Sequence, residues 1–72
     1  MIVEAHDSST GDTHYFEVNF PAKNGAPYQF VWLDGRRRVL EVRHVASAPA
    51  DADVAFAAFD APSHEIIVQS GR

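Results

Sequence analysis

Residues 28–45 of the chain read YQFVWLDGRRRVLEVRHV, and this stretch decides the fold. Two segments rich in β-branched and aromatic residues flank the Asp-Gly pair at positions 34 and 35, a composition typical of paired β-strands. An Asp-Gly pair at such a place favours a two-residue type I′ turn. The sequence therefore predicts a β-hairpin in which Phe30 faces Val39 and Trp32 faces Arg37.

The predicted hairpin is apolar on both of its surfaces. In the register set by a type I′ turn, alternate side chains of each strand point to opposite sides. A hairpin with two apolar surfaces curls into a small barrel, packs under a helix or exposes one face to a partner. One surface would carry Val31, Leu33, Leu40 and Val42, and the other Tyr28, Phe30, Trp32 and Val39.

The chain before the hairpin predicts two further strands. Residues 2–6 and 13–20 have strand composition and are separated by the polar loop 7–12, which is rich in turn-forming residues. Prolines and an Asn-Gly pair within residues 21–27 predict a break, so that a third strand begins near Pro27. The core-facing side of the second strand would carry His14, Phe16, Val18 and Phe20.

Residues 51–60 have two interpretations. Their four alanines are poor strand formers, and acids in a first turn suit a helix N-terminus, so a short helix is predicted. The alternative is a strand from Val54 to Phe59, which turns at residues 61–64 into a final strand over residues 64–69.

These elements predict a single small domain over residues 1–72. Its class would be α+β, with an antiparallel β-meander or curled sheet of about five strands and one short helix. An all-β small barrel is the alternative. The predicted core consists of Phe16, Val18, Phe20, Phe30, Val31, Leu40, Val42, Ile66 and Val68.

The composition limits the classes of protein that this chain can be. It has 72 residues, 46% of them hydrophobic, and no cysteine, so neither a disulfide nor a cysteine-based zinc site reinforces a thin core. Since no apolar run approaches the ~20 residues of a bilayer span and no secretion signal is apparent, we expect a cytoplasmic protein without membrane contact. The frequent use of Arg and Ala is typical of a GC-rich genome and indicates a bacterium or phage.

The chain has a net charge of −4, but its charges are segregated: a basic segment within the hairpin is flanked by acidic segments on both sides. Aromatic residues with guanidinium groups at their rim bind single-stranded nucleic acid in some proteins. The other interpretation places Trp32 mostly in the core, with Arg37 over the indole as a cation–π contact. The predicted partner-binding residues are Tyr28, Trp32, Arg36, Arg37, Arg38 and Arg43.

The loop 7–12 and its flanks contain the residue types of a metal site. Two imidazoles and a carboxylate brought together by a hairpin would suit Zn²⁺. The spacing matches no metal motif, and a polar loop that satisfies its own turn explains the same residues, so neither a metal nor a cofactor is predicted. The residues concerned are His6, Asp7, Asp12 and His14.

The function expected from the sequence is non-catalytic. The chain lacks a cysteine nucleophile and a glycine-rich phosphate loop, and it is too short to enclose a large cleft. We expect a protein-binding module, a regulatory or inhibitory adaptor that also forms homodimers, with exposed edge strands for association. The alternative is a single-stranded nucleic-acid-binding small β-barrel that uses residues 36–38.

Overall fold

The computed structural model describes residues 1–18 and 25–70, apart from the side chain of Ser70, and these residues form six β-strands and no helix. The sheet is closed, with the strands in the order β1-β2-β5-β6-β3-β4 around the barrel. The all-β small barrel is therefore the correct alternative, and the α+β prediction is wrong. The strands are β1 (Ile2–His6), β2 (Thr13–Val18), β3 (Pro27–Val31), β4 (Arg37–Val45), β5 (Val54–Asp60) and β6 (Glu65–Ser70).

The barrel consists of three antiparallel hairpins, β1–β2, β3–β4 and β5–β6. β5 lies parallel to β2, β6 lies parallel to β3, and β4 closes the barrel antiparallel to β1. The predicted meander is wrong because β2 pairs with β5, not with the strand that follows it. The expectation of exposed edge strands is also wrong for the described chain, because a closed barrel has no free edge.

The β3–β4 hairpin closes through a three-residue loop, not through the predicted two-residue turn. The Trp32 N–H donates to the Arg36 carbonyl (2.9 Å), and the Gly35 N–H donates to the Trp32 carbonyl (2.8 Å). Gly35 has a φ of 83°, in the left-handed region. These features match a type I turn followed by a left-handed residue, the usual three-residue hairpin loop.

The longer loop shifts the register of the hairpin by one residue. Phe30 pairs with Arg38, not with Val39. A shift of one residue moves every side chain of a strand to the opposite surface. Leu40 is consequently fully buried beside Phe30, whereas Val39 is 61% exposed. The hairpin thus has a single core-facing surface, and the predicted distribution of side chains between its two surfaces is wrong.

Residues 54–60 form a strand, which corrects the helix prediction in favour of its alternative. Ala55 pairs with Phe16, and Ala57 pairs with Val18, across the parallel β2–β5 contact. Both alanines are on the inner side of the barrel, where Ala57 is buried in the core and Ala55 packs against it. These tertiary contacts override the low strand propensity of alanine.

All six strands contribute side chains to the hydrophobic core. Most of the predicted core is confirmed, but Val31 is half-buried on the outer surface, and Phe20 lies outside the described residues. Three buried residues were not among the predicted core residues: Val3, Ala5 and Ala57. The buried hydrophobic side chains are Val3, Ala5, Phe16, Val18, Phe30, Leu40, Val42, Ala57, Ile66 and Val68.

Candidate binding pocket at the hairpin tip

The loop 7–12 is folded around the side chain of Asp7. The Ser9 hydroxyl (2.6 Å) and the Ser9 N–H (3.0 Å) both donate to Asp7 Oδ1. The Gly11 N–H donates to the Asp7 carbonyl (2.7 Å), which closes the loop on itself. Asp7 is 2% exposed and is the one buried charged residue in the described part of the chain. The loop is therefore a compact turn whose own groups donate hydrogen bonds to the Asp7 carboxylate.

Arg38 connects this loop to the hairpin. Its Nη1 lies 3.3 Å from Asp7 Oδ2, and its guanidinium carbon lies 5.6 Å from the centre of the Trp32 ring. The hydroxyl hydrogen bond from Ser9 lowers the pKa of Asp7 most strongly, burial opposes this effect, and the charge of Arg38 lowers the pKa further. The prediction that Arg37 covers the indole is wrong, because the register shift places Arg38 on the inner side.

The other arginines of the described chain also contact carboxylates. These pairs are more exposed than the Arg38 pair, so each contributes little to stability. Every guanidinium within residues 1–18 and 25–70 therefore has a carboxylate partner. The pairs are Arg36–Asp34 (3.0 Å), Arg37–Glu65 (3.2 Å) and Arg43–Glu4 (2.9 Å).

The predicted partner-binding residues do not form one surface. Arg38 and Trp32 are on the inner side of the hairpin, and both are half-buried. Tyr28 is also half-buried and packs against the core. Arg37 and Arg43 are exposed on the outer side of β4. The role of these residues in partner binding stays a prediction.

The residues that were considered as a metal site do not form one. His14 pairs with Ala5 on the inner side of the barrel, whereas His6, the next residue along β1, points to the outside. Asp7 is occupied by Ser9 and Arg38. Within the described ranges, no group of three or more potential metal-ligating side chains is close enough to hold an ion.

A pocket of about 240 Å³ opens beside the hairpin tip. Parallel pairing of β2 with β5 creates one side of it, and the loop of the β3–β4 hairpin creates the other. Leu33, which is 73% exposed, borders the pocket. Its remaining aliphatic lining comes from Ala55 and Val68, and Asp53 supplies a carboxylate. The other lining residues carry rings: His14, Tyr15, Phe16 and Trp32.

The rings of the pocket pack against one another. Trp32 makes edge-to-face contacts with His14 (5.7 Å) and Phe16 (6.2 Å), and Phe16 lies 4.9 Å from Phe30 in the core. His14 Nε2 is buried without a hydrogen-bond partner in the described chain. An unsatisfied buried polar atom lowers stability, so this imidazole is a costly feature of the pocket wall.

Sequence reasoning found part of this pocket. Trp32 was a candidate because of its residue type, and Phe16 was a predicted core residue. Asp53 and Ala55 were missed because the helix interpretation removed them from the barrel. Leu33 was assigned to an apolar surface by the type I′ register, whereas the three-residue loop places it at the exposed hairpin tip.

Comparison with protein-family models, curated proteins and solved structures found no match to this chain. Its function is therefore inferred from the geometry of the barrel. The described residues contain no helix that is long and apolar enough to cross a membrane.

Proposed function

We propose that this chain is a non-catalytic protein-binding module, and that its binding site is the pocket together with Leu33. The observation that carries this proposal is the 73% exposure of Leu33 at the border of a largely apolar, ring-lined pocket. A single exposed leucine is ordinary on a protein surface. An exposed leucine next to a preformed apolar pocket gives a partner both a contact residue and a place for an anchor.

The size of the pocket favours a side chain as its occupant. Pockets that hold cofactors or drug-sized ligands usually have ~300–1,000 Å³. The present pocket, at about 240 Å³, is smaller than that range and suits one large side chain of a partner. Interfaces commonly gain most of their affinity from a few such anchors in desolvated pockets. The proposed role as a regulatory or inhibitory adaptor is consistent with a small domain that offers one such site.

Nucleic-acid binding is the second candidate, and it has less support. Each described arginine contacts a carboxylate, so a phosphate would have to compete with an existing ion pair. The indole of Trp32 is half-buried and already lies beneath the Arg38 guanidinium, which leaves less of its surface for a stacked base. The net charge of −4 also disfavours nucleic-acid binding.

Two exposed apolar residues of the same hairpin provide a matched test. Leu33 (73% exposed) borders the pocket, and Val39 (61% exposed) lies on the outer side of β4. The immobilised protein and its Leu33→Asp and Val39→Asp variants would be exposed to a lysate of the organism that encodes the chain. We expect capture of a specific partner that Leu33→Asp weakens by about 30-fold or more, as for an anchor residue, whereas Val39→Asp binds normally.

Several outcomes would contradict the proposal or redirect it. Equal capture by both variants, or loss in Val39→Asp alone, would place the interface elsewhere. Self-association measured by light scattering, if Leu33→Asp abolished it, would identify a second copy as the protein partner. Salt-dependent oligonucleotide binding would favour the nucleic-acid function instead. In that case a plot of log affinity against log salt concentration should have a slope of about −0.7 for each phosphate contacted.

A further inference from the structure

We propose that Arg38 is a positioning residue, which Asp7 holds against the Trp32 indole so that the indole forms a fixed wall of the pocket. Through this ion pair the loop 7–12 controls the shape of the pocket, although none of its residues belongs to the lining. The inference rests on the proposed function and deepens it, since it names what regulates the same pocket.

The Trp32 side chain needs support from outside the hairpin tip. Trp32 directly follows β3, and residues 33–36 beside it are all exposed. The hydrogen bonds of its N–H and carbonyl fix the backbone but not the orientation of the side chain. The indole is half-buried, and it contacts three rings at centroid distances of 5.7–6.3 Å: His14, Phe16 and Phe30. Ring contacts of this kind are individually weak.

Arg38 supports the indole from outside the pocket. Its guanidinium carbon lies 5.6 Å from the centre of the Trp32 ring, which is within the distance of a cation–π contact. Trp32 lines the pocket, whereas Arg38 does not. The guanidinium therefore holds the ring without occupying the space that an anchor would fill.

Asp7 in turn fixes the guanidinium. Arg38 Nη1 lies 3.3 Å from Asp7 Oδ2, while Asp7 Oδ1 accepts hydrogen bonds from the hydroxyl and the N–H of Ser9. This pair is less exposed than the other three ion pairs of the described chain. A buried carboxylate with hydrogen bonds to both oxygens has one orientation, and it restricts the rotamers of the arginine that contacts it.

The consequence for binding is that the pocket is preorganised. A partner that enters a pocket with a mobile wall must first order that wall, and ordering one side chain lowers the affinity by about 2-fold to 10-fold. Loss of the Asp7–Arg38 contact should therefore weaken binding, although neither residue lies in the pocket lining.

The mobility of the Trp32 indole in the free protein tests the inference. Trp32 is the single tryptophan of the chain, so its indole N–H gives one resonance in a ¹⁵N NMR spectrum. An order parameter of about 0.85 indicates a rigid backbone group, and a value below about 0.6 a flexible one. We expect the wild-type indole near the first value and the indole of Arg38→Gln below the second. Contacts between the protons of the Trp32 ring and those of His14 and Phe16 should weaken in the same variant.

Two control variants separate positioning from general destabilisation. Arg37→Gln removes an ion pair from the neighbouring residue on the outer side of β4, and Ile66→Val removes part of a buried side chain that does not line the pocket. The indole should stay rigid in both variants. A loss of order in either control as large as that in Arg38→Gln would overturn the inference.

Variants of Asp7 test whether the loop acts through Arg38. Asp7→Asn should release the indole as Arg38→Gln does, and the double variant should release it no further, because the two residues act in series. The double variant leaves no unpaired buried carboxylate, so it decides the matter if Arg38→Gln does not fold. An indole as rigid as the wild-type indole in Asp7→Asn or in the double variant would overturn the inference. These measurements need no partner, so their failure is distinguishable from failure of the proposed function, which the Leu33 experiment decides.

Discussion

Replacing Leu40 and Val39 separately with alanine distinguishes the observed hairpin register from the alternative that is one residue away. The two residues are neighbours on β4 and are both aliphatic. In the barrel Leu40 is fully buried and Val39 is 61% exposed. In the type I′ register Val39 would instead lie opposite Phe30, on the side that forms the core.

The magnitudes follow from this difference in burial. Removing a fully buried leucine side chain costs about 2–5 kcal/mol, through lost transfer free energy and the cavity that remains. In a domain of this size, each kcal/mol corresponds to about 4–8 °C in the melting temperature. Val39→Ala should cost less than about 1 kcal/mol, which is the full range of intrinsic β propensity.

Urea denaturation of the wild-type protein and both variants measures these costs. Leu40→Ala should lower the midpoint substantially without changing the slope, provided that unfolding stays two-state. If Leu40→Ala does not fold, the size of the Val39→Ala effect still tests the register. A Val39→Ala variant as destabilised as Leu40→Ala, or more so, would refute the three-residue loop.

Two further predictions concern the polar groups at this end of the barrel. Because hydrogen bonds from Ser9 lower the folded-state pKa of Asp7, its carboxylate contributes stability above the ordinary aspartate pKa, and this contribution is lost as the pH falls below about 4. Acid melting curves of Asp7→Asn should show a weaker pH dependence than those of Asp12→Asn, and equal curves would contradict the role of Asp7. His14→Phe removes a buried nitrogen without a partner and should raise the free energy of unfolding by about 1 kcal/mol. A clear loss of stability on thermal melting would show that this nitrogen is satisfied in solution.

The local sequence was sufficient to predict most strands but not their neighbours in the barrel. Alternation in residues 13–18 and the composition of residues 28–45 identify strands directly. Hairpins follow from short connections, so β1–β2 and β3–β4 were both accessible. The parallel contacts of β5 with β2 and of β6 with β3 are non-local, and no short-range pattern specifies them.

The errors in the hairpin register and in the secondary structure of residues 54–60 have physical explanations. An Asp-Gly pair is compatible with a two-residue loop and with a three-residue loop, because both place the glycine in a conformation with positive φ. Burial of Leu40 beside Phe30 then selects the register. The alanines of β5 favour a helix by propensity, but the parallel contact with β2 places Ala55 beside Phe16 and Ala57 beside Val18 in the barrel.

The candidate site was only partly predictable for the same reason. Residue type drew attention to the arginines and Trp32, and the arginines proved to contact carboxylates. The pocket depends on the contact between β2 and β5, since that contact brings Asp53 near His14 and Tyr15. A site created by non-local pairing becomes visible only when the topology is known.

The parallel contact between β2 and β5 is therefore the feature to measure first. It joins the β1–β2 hairpin to the β5–β6 hairpin and forms one wall of the pocket. In NMR spectra of the isolated protein, we predict cross-strand contacts between the backbone protons of Phe16 and Ala55, together with slow amide exchange along both strands. Sequential contacts of the helical type over residues 54–60, without any contact to β2, would contradict the closed barrel and the pocket with it.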